Sequence, residues 1–296
     1  SGKRKKFTMQ PSHALIQQVE KIIGSKPVAW YSISKGYTAA ERYIVRLENG
    51  ASVFVKVATD DNTARWLRNE YRIYNALRAD FLPRFLAWED GDHPLLILED
   101  LSHGFWPPPW SPDRIVRVRD VLKKIAATAP PPALPPVKDF FKEPFGWEEI
   151  AADPSGFLGL GLASPEWLAA SLPVLIKAEQ AADFSGTALV HLDVRSDNIC
   201  FAGDRTLLVD WNWASVGTPR LDLIAWLPSL HTEGGPAPWD VTLDDPELIA
   251  VAAGYWASHA YRLPPQEGST LRQLQLAQLK SALPWASRAL RLPLPA

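Results

Sequence analysis

Cysteine occurs once among 296 residues, at Cys200, so no internal disulfide can form and a cysteine-rich zinc site is excluded. So little cysteine fits a reducing compartment, and a cytoplasmic location is expected. No apolar run approaches the length of a bilayer span, so no membrane partner is expected. Neither sign of charge is in excess. Lys and Arg number 31 against 33 Asp and Glu, a net charge of -2, which leaves no global basic field to hold nucleic acid. The basic run from Lys3 to Lys6 lacks the apolar stretch of a secretory signal and reads as a solvated terminus. His103, His231 and His259 have no metal-ligand spacing, and no internal repeat is visible.

Proline (27) and tryptophan (13) are plentiful instead. Two proline clusters, at 107–109 and 130–136, read as stiff connectors, and the tryptophans as core. A hydrophobic share of 47% over this length supports one large domain or two lobes.

Leu15, Ile16, Val19, Ile22 and Ile23 predict a short helix closed by Gly24. Three β-prone runs follow, at 28–34, 43–47 and 52–58. Glu48-Asn49-Gly50 between the second and third is a hairpin signal. Trp66, Leu67, Tyr71, Tyr74 and Leu77 then switch to helical spacing over about 61–78, and strands return at 84–88 and 95–99. Beyond Leu101 the pattern is helical. Ser111-Pro112-Asp113, Ser164-Pro165-Glu166 and Asp245-Pro246-Glu247 each read as an N-cap, a first-turn proline and an early acid. A last helix is expected over about 269–290. Among these helices lies a β-rich island at 188–192, 199–201 and 206–209.

Polar residues concentrate in that island. Val190-His191-Leu192-Asp193-Val194-Arg195-Ser196-Asp197-Asn198-Ile199 sets a polar loop between apolar residues, and Leu207-Leu208-Val209 then delivers Asp210. The two strands resemble a hairpin with polar ends. Phosphoryl transfer needs this inventory: a carboxylate to orient an attacking hydroxyl, and hard oxygen ligands to hold Mg²⁺ on phosphates.

His191-x-Asp193-x-x-x-x-Asn198 followed by Asp210 resembles the catalytic-loop and metal-binding motifs of the aminoglycoside phosphotransferase and choline kinase family. The run from Asp210 through Trp211-Asn212-Trp213 to Gly217-Thr218-Pro219 and Asp222 is similar as well. Trp211 stands where a protein kinase carries the Phe of Asp-Phe-Gly, and no Ala-Pro-Glu segment follows, which favours small-molecule kinases. The resemblance implies an α+β, two-lobed protein-kinase-like fold. A small N-terminal lobe with a five-stranded antiparallel sheet (1–100) would bind nucleotide. A larger, mainly helical C-terminal lobe (101–296) would carry catalysis and the substrate.

It also implies roles. Asp193 would be the base, with Arg195 neutralising the transferring phosphoryl group. Asn198 and Asp210 would be Mg²⁺ ligands, His191 a brace within the loop, and Asp222 structural. Lys56, alone in the apolar strand 53–57, would grip the nucleotide phosphates, aligned by Glu70 on the next helix. The loop at 32–38, with its single Gly36, would cover the phosphates, and Leu98-Glu99-Asp100-Leu101 would be the hinge, with Glu99 and Leu101 beside the base. ATP is the expected donor, with GTP as alternative, and the partner is a small hydroxyl-bearing acceptor. Glu233, Asp240, Asp244 and Asp245 suggest an acidic rim for an aminoglycoside-type cation. Choline, an amino alcohol or a sugar are the other acceptors, and a nucleotide-binding pseudokinase is the alternative outside catalysis. Nothing in the sequence speaks to oligomeric state.

Overall fold

The structure, a computed structural model, describes residues 11–33, 39–141, 144–262 and 270–295. The basic run from Lys3 to Lys6 and the proposed phosphate-loop residue Gly36 lie outside these residues. The chain divides into two compact units: the residues up to Trp106 together with Ile199–Trp213, and Pro107–Asn198 together with Ala214–Ala296.

In the first unit, α1 (His13–Ile23) starts at Ser12, whose hydroxyl accepts from Leu15 N, and stops at Gly24 in the left-handed conformation. Then come β1 (Pro27–Ser32), β2 (Glu41–Leu47), β3 (Ser52–Val57), α2 (Asp61–Ala76), β4 (Phe85–Glu89) and β5 (Leu95–Glu99). The strands form one antiparallel sheet ordered β1-β2-β3-β5-β4. The β2–β3 turn is the Glu48-Asn49-Gly50 signal, with Gly50 at φ 83 and Asn49 Oδ1 accepting from Ala51 N.

Alternation sorts the strand residues onto two faces. Tyr43, Val45, Leu47, Val53, Val55, Val57, Leu95 and Ile97 bury one face beneath Leu15 and Val19 of α1. Each fully buried aliphatic side chain there contributes about 1.5–3 kcal/mol. Lys56, between Val55 and Val57, points to the opposite face. This unit also contains an antiparallel hairpin from the later chain, β7 (Ile199–Ala202) and β8 (Arg205–Leu208), followed by a 3₁₀ turn at Trp211–Trp213. Leu208 N donates to Phe81 O at 2.9 Å, and Phe105 and Phe201 form an isolated bridge.

The second unit holds α3 (Pro112–Ala127), α4 (Gly146–Ala152), α5 (Ser155–Leu158), α6 (Pro165–Gln180), α7 (Arg220–Thr232), α8 (Pro238–Val241), α9 (Pro246–His259) and α10 (Thr270–Ala289). It also holds the two-stranded ladder of β6 (Ala188–Val190) with β9 (Ser215–Gly217). Trp147, Trp226 and Trp285 are fully buried there. The Nε1 atoms of Trp147 and Trp285 donate to Ala250 O at 2.9 Å and Thr242 O at 2.8 Å, which offsets the cost of burying the indole N–H.

Ser111 and Ser164 cap α3 and α6 through their hydroxyls, accepting from Arg114 N and Trp167 N. Asp245 precedes α9 but makes no side-chain cap, contrary to the sequence expectation. Its backbone is left-handed (φ 62, ψ 54), and its carboxylate pairs with Arg220 instead. Among the described residues no helix is long and apolar enough to cross a membrane.

Candidate active site

The second unit carries the loop that follows β6. The N–H groups of His191 and Leu192 donate to the Asp222 carboxylate at 2.8–3.0 Å. Leu192 has φ 62, a left-handed backbone that costs on the order of 1–2 kcal/mol and is sustained by these bonds. Asp222, 3% exposed, is pushed up to about 6 by burial, against the opposing effect of the two N–H groups. His191 is fully buried, and its Nδ1 accepts from Asp193 N at 3.2 Å, a brace inside the loop.

Asp193 is held from two sides. Asn198 Nδ2 donates to its backbone O at 2.9 Å and to its Oδ2 at 3.0 Å. Arg195 Nη1 donates to its Oδ1 at 2.6 Å, while Arg195 Nε and Nη2 both donate to Asp197 at 2.9 Å. The guanidinium fork therefore clamps two carboxylates of one loop, a geometry that Lys would not reproduce. Ser196, between them, donates its hydroxyl proton to Glu233 Oε1 at 2.5 Å, and Glu233 Oε2 accepts from Trp110 Nε1 at 2.8 Å.

In the first unit, Lys56 Nζ lies 2.6 Å from Glu70 Oε2 and 2.8 Å from Asp210 Oδ1. The side chains of Lys56 and Glu70 are only 8% and 2% exposed. Burial pulls the Lys56 ammonium down, but Asp210 and Glu70 outweigh it and hold it above its ordinary value. Burial raises Glu70 more than Lys56 lowers it. The Asp60–Thr63 capping box starts α2 and so sets the rotation that brings Glu70 to Lys56. Tyr74, one turn further on, donates its O–H to Glu70 Oε1 at 3.2 Å. Asp210 itself has a left-handed backbone, φ 64. Beside it Trp211 is fully buried, donates Nε1 to Leu208 O at 2.9 Å and packs on Phe81.

At the expected hinge, the Glu99 carboxylate accepts from Arg205 Nη1 at 2.9 Å and from Arg84 N at 2.9 Å, and Glu99 N donates to Arg84 O. Leu101 is 8% exposed, and its carbonyl accepts from Gly104 N at 3.0 Å and Trp106 Nε1 at 3.2 Å. Three of these contacts went unread in the sequence. Asp197 stands two residues from Arg195, close enough to have been suspected. Tyr74 shares the helical face of Glu70. The Ser196–Glu233 bond spans 37 positions and leaves no local signal.

The fold, a five-stranded antiparallel sheet in one unit and a mainly helical second unit, is that of protein-kinase-like small-molecule phosphotransferases. A family model described as the phosphotransferase enzyme family (APH) matches residues 31–263. The chain belongs to this family of phosphotransferases. It is similar in fold to a choline/ethanolamine kinase family protein from Mesorhizobium loti, with TM-score 0.59, 14% identity, and coverage of 93% of this chain and 97% of that one. It is also similar to spectinomycin phosphotransferase APH(9)-Ia in complex with ADP and spectinomycin, with TM-score 0.57, 13% identity, and 96% and 100% coverage. A third similar structure is the amicoumacin kinase hAmiN in complex with AMP-PNP, Ca²⁺ and Ami, with TM-score 0.53, 12% identity, and 92% coverage of both chains. At these identities the likeness is one of fold. No curated protein matches the chain.

Proposed function

We propose that the protein transfers the γ-phosphate of ATP, with Mg²⁺, to a hydroxyl of a small molecule. The observation that most supports this reading is the buried Lys56–Glu70 pair, 2.6 Å apart, with Lys56 also on Asp210. A lysine held by a buried carboxylate in an apolar strand is suited to gripping nucleotide phosphates. The solved relatives described with ADP or AMP-PNP support the same donor class.

Asp193 is assigned as the base that orients the acceptor hydroxyl and receives its proton. Asn198 and Arg195 fix its two carboxylate oxygens, so one rotamer is presented. Arg195 was expected to neutralise the transferring phosphoryl group. Its three bonds to Asp193 and Asp197 assign it first to orienting the base. Asn198 and Asp210 are the assigned metal ligands. Their amide and carboxylate oxygens suit a hard cation such as Mg²⁺, and the two Asn198 bonds to Asp193 employ its nitrogen, leaving the oxygen for that part. When bound, the metal supplies positive charge that offsets charge on the phosphates.

An aminoglycoside-type antibiotic is the first acceptor to test, with choline, amino alcohols and sugars as alternatives. Two of the four acids expected to form an acidic rim are engaged within the protein, Glu233 with Ser196 and Trp110, and Asp245 with Arg220. The test is acceptor-dependent consumption of ATP or GTP with Mg²⁺ over that panel. Asp193→Ala should abolish turnover and retain nucleotide binding. Tight Mg·ATP binding with no turnover across a wide panel would favour a pseudokinase, and absence of Mg·ATP binding would overturn the reading.

A further inference from the structure

We infer that Glu233 is a positioning residue, which holds the Asp193 loop at a second point through Ser196 and is itself fixed by Trp110. The inference rests on the assignment of Asp193 as base. It replaces the expectation that Glu233 faces the acceptor.

Both Glu233 carboxylate oxygens accept from the protein, Oε1 from Ser196 Oγ at 2.5 Å and Oε2 from Trp110 Nε1 at 2.8 Å. A carboxylate that accepts from a fixed donor at each oxygen is held in one orientation and ties its two donors together, although each oxygen keeps a second lone-pair site. Ser196 is 9% exposed and begins the 3₁₀ turn Ser196–Asn198. Its neighbours in the loop carry the base: Arg195 bonds Asp193 Oδ1 and Asn198 bonds Asp193 Oδ2. Releasing Ser196 loosens the turn on which both depend.

The placement of Glu233 on α7 strengthens the assignment. Asp222, in the first turn of α7, holds the loop at His191 and Leu192, and Glu233, its C-cap, holds it at Ser196. Eleven residues are about three helical turns, so the two carboxylates leave α7 on the same side. The helix α7 and its C-cap residue thus hold the loop at two points. At its far end Trp110, on the segment before α3, locks the Glu233 rotamer while packing edge-on to Trp226 of α7.

The test uses Glu233→Ala, Glu233→Gln and Ser196→Ala in the full chain. Glutamine keeps both contacts, since its oxygen can accept from Trp110 and its amide can donate to the serine hydroxyl. Hydrogen exchange is read on a peptide covering 190–199, with a peptide from α10 as reference. Glu233→Ala and Ser196→Ala should speed exchange in the loop about tenfold and leave α10 unchanged, while Glu233→Gln matches the parent. With a turned-over acceptor, the two alanine variants should lose kcat on the order of tenfold at unchanged acceptor KM, and the double variant should lose no more than either single one. A KM for a cationic acceptor that rises equally in Glu233→Ala and Glu233→Gln would return Glu233 to the acceptor site and overturn the inference. Unchanged loop exchange in Glu233→Ala would do the same. The exchange experiment decides the tether even if no acceptor is turned over, an outcome that would count against the phosphotransfer assignment alone.

Discussion

Lys56 and Asp210 stand 154 residues apart in the chain and 2.8 Å apart in the structure, with Glu70 completing the triad on the other side of the ammonium. Lys56 shares its sheet face with Arg42, its cross-strand neighbour, and is the cation in direct contact with both carboxylates, so its removal deprives each of them of its nearest counter-charge.

Lys56→Met should therefore lower stability by about 3 kcal/mol, because it leaves a 2%-exposed carboxylate without its counter-charge. Adding Glu70→Gln should recover part of the loss, since the orphaned charge goes too. Urea midpoints of the parent, both single variants and the double variant give the coupling. Additive losses would show that the pair has no mutual stabilisation.

Glu179 of α6 should make stability fall as pH rises. Its Oε2 accepts from Trp147 N at 2.9 Å, its Oε1 has no hydrogen-bond partner among the described residues, and a Cβ on Gly146 or Gly254 would collide with it. Burial pushes its carboxyl up to about 8 from 4.5, so the folded protein holds a proton that the unfolded chain releases above 4.5. The contribution is complete below 4.5 and disappears as pH climbs through about 8. Asp222, raised from 3.8 to about 6, acts with the same sign over a lower window. Melting temperatures between about pH 7 and 9 should thus fall for the parent and stay flatter for Glu179→Gln, which cannot ionise. Parallel curves would remove Glu179 as the cause.

Cys200 should be silent towards thiol reagents in the native protein. It is fully buried, and burial, with the charge of Glu99 second, pushes its thiol up to about 12. A chromogenic disulfide should titrate one thiol in denaturant and none in buffer, and the labelling rate should follow unfolding. Rapid native labelling would mean that β7 opens locally.

The first sheet was largely legible because its strands are short apolar, β-prone runs separated by turn residues, Asn49-Gly50 above all. The Lys56–Glu70 pair was readable through the family resemblance, which implies a lysine on the third strand and an acid on the helix that follows; the contact itself is 2.6 Å. The helix α7 was not read. Leu221, Ile224, Trp226, Leu227 and Leu230 are buried around most of its circumference, so no stripe marks it, and Pro228 lies inside it. The partner of β6 was missed because β9 is three residues long. The Asp245 cap was misread because Asp-Pro-Glu shows the residue types of a cap but not the left-handed backbone that turns the carboxylate towards Arg220. Glu233 looked like surface charge because its partners, Ser196 and Trp110, lie 37 and 123 positions away.

The first unit is not one stretch of chain: it takes Ile199–Trp213 from far beyond Trp106. During synthesis at roughly 5–20 residues per second, that hairpin leaves the ribosome about 5 to 20 s after the five-stranded sheet is complete. Through that interval the nascent sheet lacks the strand end carrying Asp210, and Lys56 has Glu70 alone for company. A chaperone meeting the polypeptide at this stage would find a sheet whose last buried charge still awaits its partner, so synthesis of the small unit is finished only when Trp213 has been made.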